Sequence, residues 1–148
     1  MESLCGLCLA YEEEYRIVTK NDYAVVVVST YPLRDGHLLI TPRRHVLRLD
    51  ELTAEESGAI NEILYNSQQR LLRAYPEHPP IHAMQTGRHS SQPHIHYHMI
   101  PSDSHFRVLW TTVHDSSGRL VVQKDRERIN PPYTQEKLED MARKLRSV

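Results

Sequence analysis

Between His94 and Ile100 the chain reads HIHYHMI, an imidazole at every second position with an apolar side chain between. Side chains along a strand alternate between its two faces, so one face carries His94, His96 and His98 and the other carries Ile95, Tyr97 and Met99. The segment is therefore a strand with a core side and a side lined by adjacent rings, about 6.5 Å apart along the axis. Such a ladder lets each ring take a different part. Neutral imidazole is a nucleophile and histidine exchanges protons near neutral pH, so the rings can attack, orient and protonate, and a phosphate centre suits them. His-x-His on a strand is also a frequent metal-ligand pattern. A single metal on all three rungs is disfavoured, because zinc needs nitrogen at about 2.0 to 2.1 Å and successive rungs are too far apart.

Other segments supply partners for that strand. YAVVVVS, Tyr23 to Ser29, is short and rich in β-branched residues, and predicts a strand buried on both faces. YPLRDG, Tyr31 to Gly36, carries turn chemistry and returns the chain as a second strand over His37 to Thr41, ended by Pro42. Thr53 and Glu56 have capping-box spacing, and Ile60, Ile63, Leu64, Ser67, Leu71 and Tyr75 share one face of a long helix. Pro76, Pro79 and Pro80 stop it and lead into an extended stretch, Ile81 to Gln85, followed by the polar loop TGRHSSQP. FRVLWTTV and RLVVQ read as a hairpin, and Thr134 caps a last helix through Leu138, Met141, Ala142 and Leu145. The expected class is α+β, an antiparallel sheet with one long helix and a C-terminal helix.

Composition narrows what such a sheet can serve. With 148 residues and a formal charge of −1, residues 1–148 fit a single domain that lacks the basic footprint of a long nucleic-acid binder. A small anionic ligand remains open. No apolar run approaches the roughly 18 to 20 residues of a membrane-spanning helix, and no secretory leader is visible, so a cytoplasmic protein is expected. In that reducing setting Cys5 and Cys8, spaced Cys-x-x-Cys, favour a metal site or redox pair over a structural disulfide. Two thiols leave a zinc shell incomplete, and the chain's ten histidines offer the remaining ligands.

Taken together, the seven positions His94 to Ile100, the Cys-x-x-Cys, and the run GHLLITPRRH from Gly36 to His45 resemble the histidine triad superfamily, whose mark is three histidines alternating with apolar residues. The resemblance spans Cys5 to Pro101. It implies that His96 attacks an α-phosphorus to form a nucleotidyl-histidine, which water then releases. His98 would contact phosphate oxygens and assist the leaving group, and His37 would support the rings from the neighbouring strand. Donors gathered around phosphate oxygens stabilise the charge that develops during transfer. No catalytic metal enters that scheme. The zinc-containing bacterial-type members imply a second centre, a closed structural zinc shell of Cys5, Cys8, His45 and His94. A homodimer is the family expectation.

Departures from the pattern bear on the substrate. Ser91, three residues before His94, matches a phosphate-binding hydroxyl, although the surrounding loop reads SSQP and is short. Gln85 and Gly87 resemble the family's Asn/Gln-x-Gly element near the nucleotide. Ser29 stands where relatives often carry an Asp or Asn that grips the ribose, and a hydroxyl makes one such bond without charge. Arg43 and Arg44 read as solvated surface. The expected activity is hydrolysis of nucleoside phosphoramidates or related nucleotide conjugates. Dinucleoside polyphosphate hydrolysis and a nucleotide-binding module with little turnover are the alternatives.

Overall fold

The computed structural model describes residues 5–85, 93–102, 110–114, 120–124 and 132–148. In chain order these form α1 (Gly6–Ala10), β1 (Ile17–Lys20), β2 (Ala24–Val28), β3 (Leu38–Pro42), α2 (Ala54–Ala74), β4 (Pro80–Gln85), β5 (His96–Pro101), β6 (Trp110–His114), β7 (Leu120–Lys124) and α3 (Gln135–Arg146). The main sheet has the order β1-β2-β3-β5-β4, every neighbouring pair antiparallel, and β6 pairs with β7 as a separate two-stranded sheet. The expected α+β class, with an antiparallel sheet, one long helix and a C-terminal helix, is what forms.

Each strand's alternation divides the sheet into two faces. On one, Ala24, Val26 and Val28 of β2, Leu38 and Ile40 of β3, and Tyr97 and Met99 of β5 pack against Ile60, Ile63 and Leu71 of α2 and Leu138, Met141, Ala142 and Leu145 of α3. On the other, Val25 and Val27 cluster with Ala10 of α1 and with Ile17, the cross-strand partner of Val27 on β1, and Tyr11 and Leu39 pack against them. All five β2 residues are buried, as the β-branched run requires of an interior strand. Val27 pairs with Leu39, and Leu39 with His98, so the second face is the one that bears the histidines. A one-residue slip in either pairing would turn those rings into the helices.

Several boundaries differ from the sequence reading by a residue or two. β3 spans Leu38–Pro42, one residue later at each end than the sequence reading has it, so His37 precedes the strand and Pro42 is its last residue, paired with Ala24. β5 starts at His96, so His94 and Ile95 precede the strand, where Ile95 N–H donates to Val46 O (2.8 Å) and Thr41 Oγ1 to Ile95 O (2.9 Å). His114 belongs to β6, one residue beyond the FRVLWTTV stretch that the sequence reading takes as that strand. The short elements α1 and β1 have no counterpart in the sequence reading: five and four residues carry too few periods for a pattern to register.

The segment between β3 and α2 carries His45 and is pinned at both ends. Thr53 and Glu56 form the expected capping box, the Glu56 N–H donating to Thr53 Oγ1 (3.1 Å) and the Thr53 N–H to Glu56 Oε1 (2.9 Å). The same carboxylate receives Arg44 Nε (3.0 Å) and Nη2 (2.7 Å), so Arg44, exposed as the sequence reading has it, also anchors the buried Glu56. Arg43 lies over the Tyr11 ring (4.5 Å to its centre), which ties the same segment to the end of α1.

Arg44 holds the Glu56 carboxyl below its ordinary value near 4.5, helped by Thr53 against the opposing effect of burial. A carboxyl whose folded pKa is lowered adds stability above the unfolded pKa and loses it as pH falls through the folded one. Glu56→Gln is expected to lower stability at pH 7 by about 1 to 3 kcal/mol. Urea titrations should show the gap to wild type closing as pH drops below about 4.5. A gap that does not change with pH would contradict the ion pair's role.

Candidate active site and metal centre

The histidine face is wired ring to ring. Leu33 N–H donates to His37 Nδ1 (3.0 Å), His37 Nε2 lies 2.9 Å from His98 Nδ1, and His98 Nε2 lies 2.9 Å from Gln85 Oε1. His96 places Nε2 2.8 Å from the same Gln85 oxygen and Nδ1 2.8 Å from the carbonyl of His94. The rings of His96 and His98 are 5.1 Å apart at a steep angle, as are those of His37 and His98. All three are buried. β4 brings Gln85 there because it pairs with β5 in a register that sets Gln85 opposite His96.

Proton positions follow from the partners' donor and acceptor character. A peptide N–H can only donate, so His37 Nδ1 is bare and its proton sits on Nε2, which donates to His98 Nδ1. The His98 proton is thereby placed on Nε2, aimed at the Gln85 oxygen. A carbonyl can only accept, so His96 carries a proton on Nδ1. His96 Nε2 also faces an acceptor, the Gln85 oxygen, so that contact is a hydrogen bond only while Nε2 carries a proton. Once that proton is lost, with Nδ1–H kept on the carbonyl, the Nε2 lone pair faces the centre of the site. With His96 Nε2 deprotonated, one ring presents a lone pair and its neighbour a proton to the same region.

Cys5, Cys8, His45 and His94 form a second cluster whose donor atoms all lie within 4.8 Å of one another. Cys5 Sγ and Cys8 Sγ each stand 3.5 Å from His94 Nδ1, and Cys8 Sγ stands 3.1 Å from His45 Nδ1. Nitrogen and sulfur on a tetrahedral zinc are about 3.5 Å apart, given bonds of about 2.0 to 2.1 and 2.3 Å, so these residues fit that ion. His94 Nε2 donates to Pro42 O (2.8 Å), which leaves Nδ1 bare and turned to the thiols. Burial, more than the neighbouring His45 and His96, pushes the His94 pKa down to about 4 against the Pro42 hydrogen bond, so the ring is neutral at pH 7 as a ligand must be.

Residues 10–105 match the HIT domain family, a span that includes His37, His45, His94, His96 and His98. The chain belongs to the HIT domain family. Its relatives include the bis(5'-adenosyl)-triphosphatase of Dictyostelium discoideum, 29% identical over 149 aligned positions that cover 97% of this chain and 90% of that one. The nitrilase and fragile histidine triad fusion protein NitFhit of Caenorhabditis elegans is 31% identical over 81 residues, 53% of this HIT chain and 18% of that protein. Among solved structures, a Zn-bound histidine triad family protein from Mycobacterium smegmatis shares the fold, with a TM-score of 0.61, 19% identity and coverage of 99% of this chain and 94% of that one.

Of the residues singled out in the sequence, the HIT fold brings His37, His96, His98 and Gln85 into one network and Cys5, Cys8, His45 and His94 into another. Ser29 is buried at the end of β2, where its N–H donates to His37 O (3.0 Å). Ser91, Gly87 and most of the loop before the triad lie outside the described residues. The sequence reading missed three backbone groups that orient the rings: the Leu33 N–H, the Pro42 carbonyl and the His94 carbonyl. Side-chain motifs cannot announce them, since every non-proline residue carries the same N–H and each residue the same carbonyl.

Freshly purified protein is expected to hold about one zinc per chain. Cobalt substituted for it should give the intense thiolate charge-transfer absorption of a two-sulfur site, weakened in Cys8→Ser. Well under one metal per chain in unchelated protein, or cobalt spectra unchanged by the substitution, would overturn the assignment.

Proposed function

We propose that this chain hydrolyses nucleotide conjugates at the α-phosphate through a covalent nucleotidyl-His96. The carrying observation is that His96 Nε2 and His98 Nε2 converge on one acceptor oxygen, that of Gln85, at 2.8 and 2.9 Å. A phosphoryl group brought to that point in place of the Gln85 oxygen would meet the Nε2–H of His98 with one of its oxygens and, once His96 Nε2 has lost its proton, the lone pair of His96 with its phosphorus. In this reading His96 Nε2 attacks the α-phosphorus, a P–N bond forms, and the bond to the leaving group breaks. His98 Nε2–H donates to phosphate oxygen or to the departing atom, and His37 restores the order of protons behind it. Water then attacks phosphorus, the P–N bond breaks and the nucleoside monophosphate leaves. Gln85 and Ser29 are read as substrate contacts, with Ser91 completing the phosphate cradle.

The Dictyostelium relative's name favours a dinucleoside polyphosphate as substrate, with a nucleoside diphosphate leaving from a triphosphate bridge. Nucleoside phosphoramidates present the same α-phosphate with an amine as leaving group, and form the second substrate class. The zinc shell is read as structural: four protein ligands leave no open position for water.

Wild type is expected to release AMP from diadenosine triphosphate or from an adenosine phosphoramidate, and comparing the two rates assigns the leaving group. His96→Asn should lower kcat by at least about 10³-fold while the protein stays folded. Equal rates for the two proteins would refute His96 as nucleophile, and nucleotide binding without turnover by wild type on either class would favour a binding module.

A further inference from the structure

The N–H that orders the histidines belongs to the connection between β2 and β3, and this connection is gripped from both sides by α3 and the residues before it. Gly36 sits in it at φ +89°, a left-handed conformation that suits glycine. A β-carbon there would lie 2.7 Å from Tyr75 Cε2 and 2.8 Å from Pro101 Cγ, so the backbone is pressed against both. The Tyr75 ring in turn carries the Lys144 ammonium at 4.6 Å, and its hydroxyl donates to Met141 Sδ (3.6 Å), both from α3. On the other side Tyr133, just ahead of α3, donates its N–H to Thr30 O (2.8 Å) and its hydroxyl to Asp35 Oδ1. Lys137 lies over the Tyr133 ring (5.5 Å) and 4.0 Å from Asp35 Oδ2. Tyr133 therefore fastens residue 30 and residue 35, with Leu33 between them.

We propose that Tyr133 and Asp35 are positioning residues for the reaction. By fixing the two ends of the β2–β3 connection they hold the Leu33 N–H on His37 Nδ1, and so set which nitrogen of His98 offers its proton to the phosphate. The inference rests on the proposed activity for its kinetic consequence, while the ring order it describes is a property of the protein without substrate. Burial and the bond to Asp35 keep the Tyr133 hydroxyl well above its ordinary pKa, so it stays a donor across the working range of pH.

The latch is tested by nitrogen-15 NMR of histidine-labelled protein, with His37 assigned by the signals missing in His37→Gln. Wild type should show His37 as a single tautomer, protonated on Nε2. In Tyr133→Phe and Asp35→Ala the two ring shifts of His37 should move toward each other, and kcat should fall about fivefold, the size of one lost hydrogen bond, with KM little changed. Asp35→Asn keeps an acceptor and should keep the wild-type ring shifts, and the double variant should be no worse than either single one. Unchanged His37 shifts in folded Tyr133→Phe and Asp35→Ala, whatever their melting temperatures, would overturn the proposal. Absence of turnover in wild type would overturn the proposed activity alone, since the ring shifts decide the latch by themselves.

Discussion

His94 is held at every polar atom that bears on the site. Its Nε2–H is fixed on the Pro42 carbonyl, its Nδ1 faces both thiols, and its own carbonyl accepts the Nδ1–H of His96. That last bond is the constraint on which the chemistry depends. It decides that the lone pair of neutral His96 is on Nε2, and it does so from a residue whose ring belongs to a different centre. The metal-type cluster and the histidine network are thus two ends of one residue. Rigidity imposed on the His94 ring is carried to His96 through two backbone bonds.

The sheet makes this possible by keeping its two faces distinct. The helices need one face to be continuously apolar, and the pairings of β2, β3 and β5 supply it through Val26, Ile40 and Tyr97. The same registers leave the other face to His37, His96 and His98, buried at its centre and flanked by Val25 and Val27 under α1. Burying three imidazoles would be costly if their nitrogens were left unpaired. Linking them through Leu33, Gln85 and the His94 carbonyl offsets that cost, and the links place a proton on Nε2 of His37 and of His98 and on Nδ1 of His96.

Much of this was legible in the sequence, for identifiable reasons. Alternation along the strand put His96 and His98 on one face, as the structure has them, while His94 falls just before β5 with its ring in the other cluster. The Thr53–Glu56 spacing marked where α2 begins. The ligands Cys5, Cys8, His45 and His94 came from a resemblance, and the cluster they form bears out their proximity. What escaped was of two kinds. Elements as short as α1 and β1 show less than two turns or a few rungs of pattern, and Arg44 looks like any exposed arginine until Glu56 is brought to it by α2. Backbone groups such as the Leu33 N–H have no signature at all, and the link from Asp35 to Tyr133 joins residues 98 positions apart.

The central claim, attack by His96 on phosphorus, is tested most directly by stereochemistry. A dinucleoside triphosphate carrying a chiral thiophosphate at the attacked phosphorus is hydrolysed in oxygen-18 water, and the configuration of the released thiophosphate monoester is determined. Each in-line displacement inverts phosphorus, so attack by His96 followed by water gives net retention. Net inversion would mean that water attacks directly, and His96 would then be a base or a binding group and not the nucleophile.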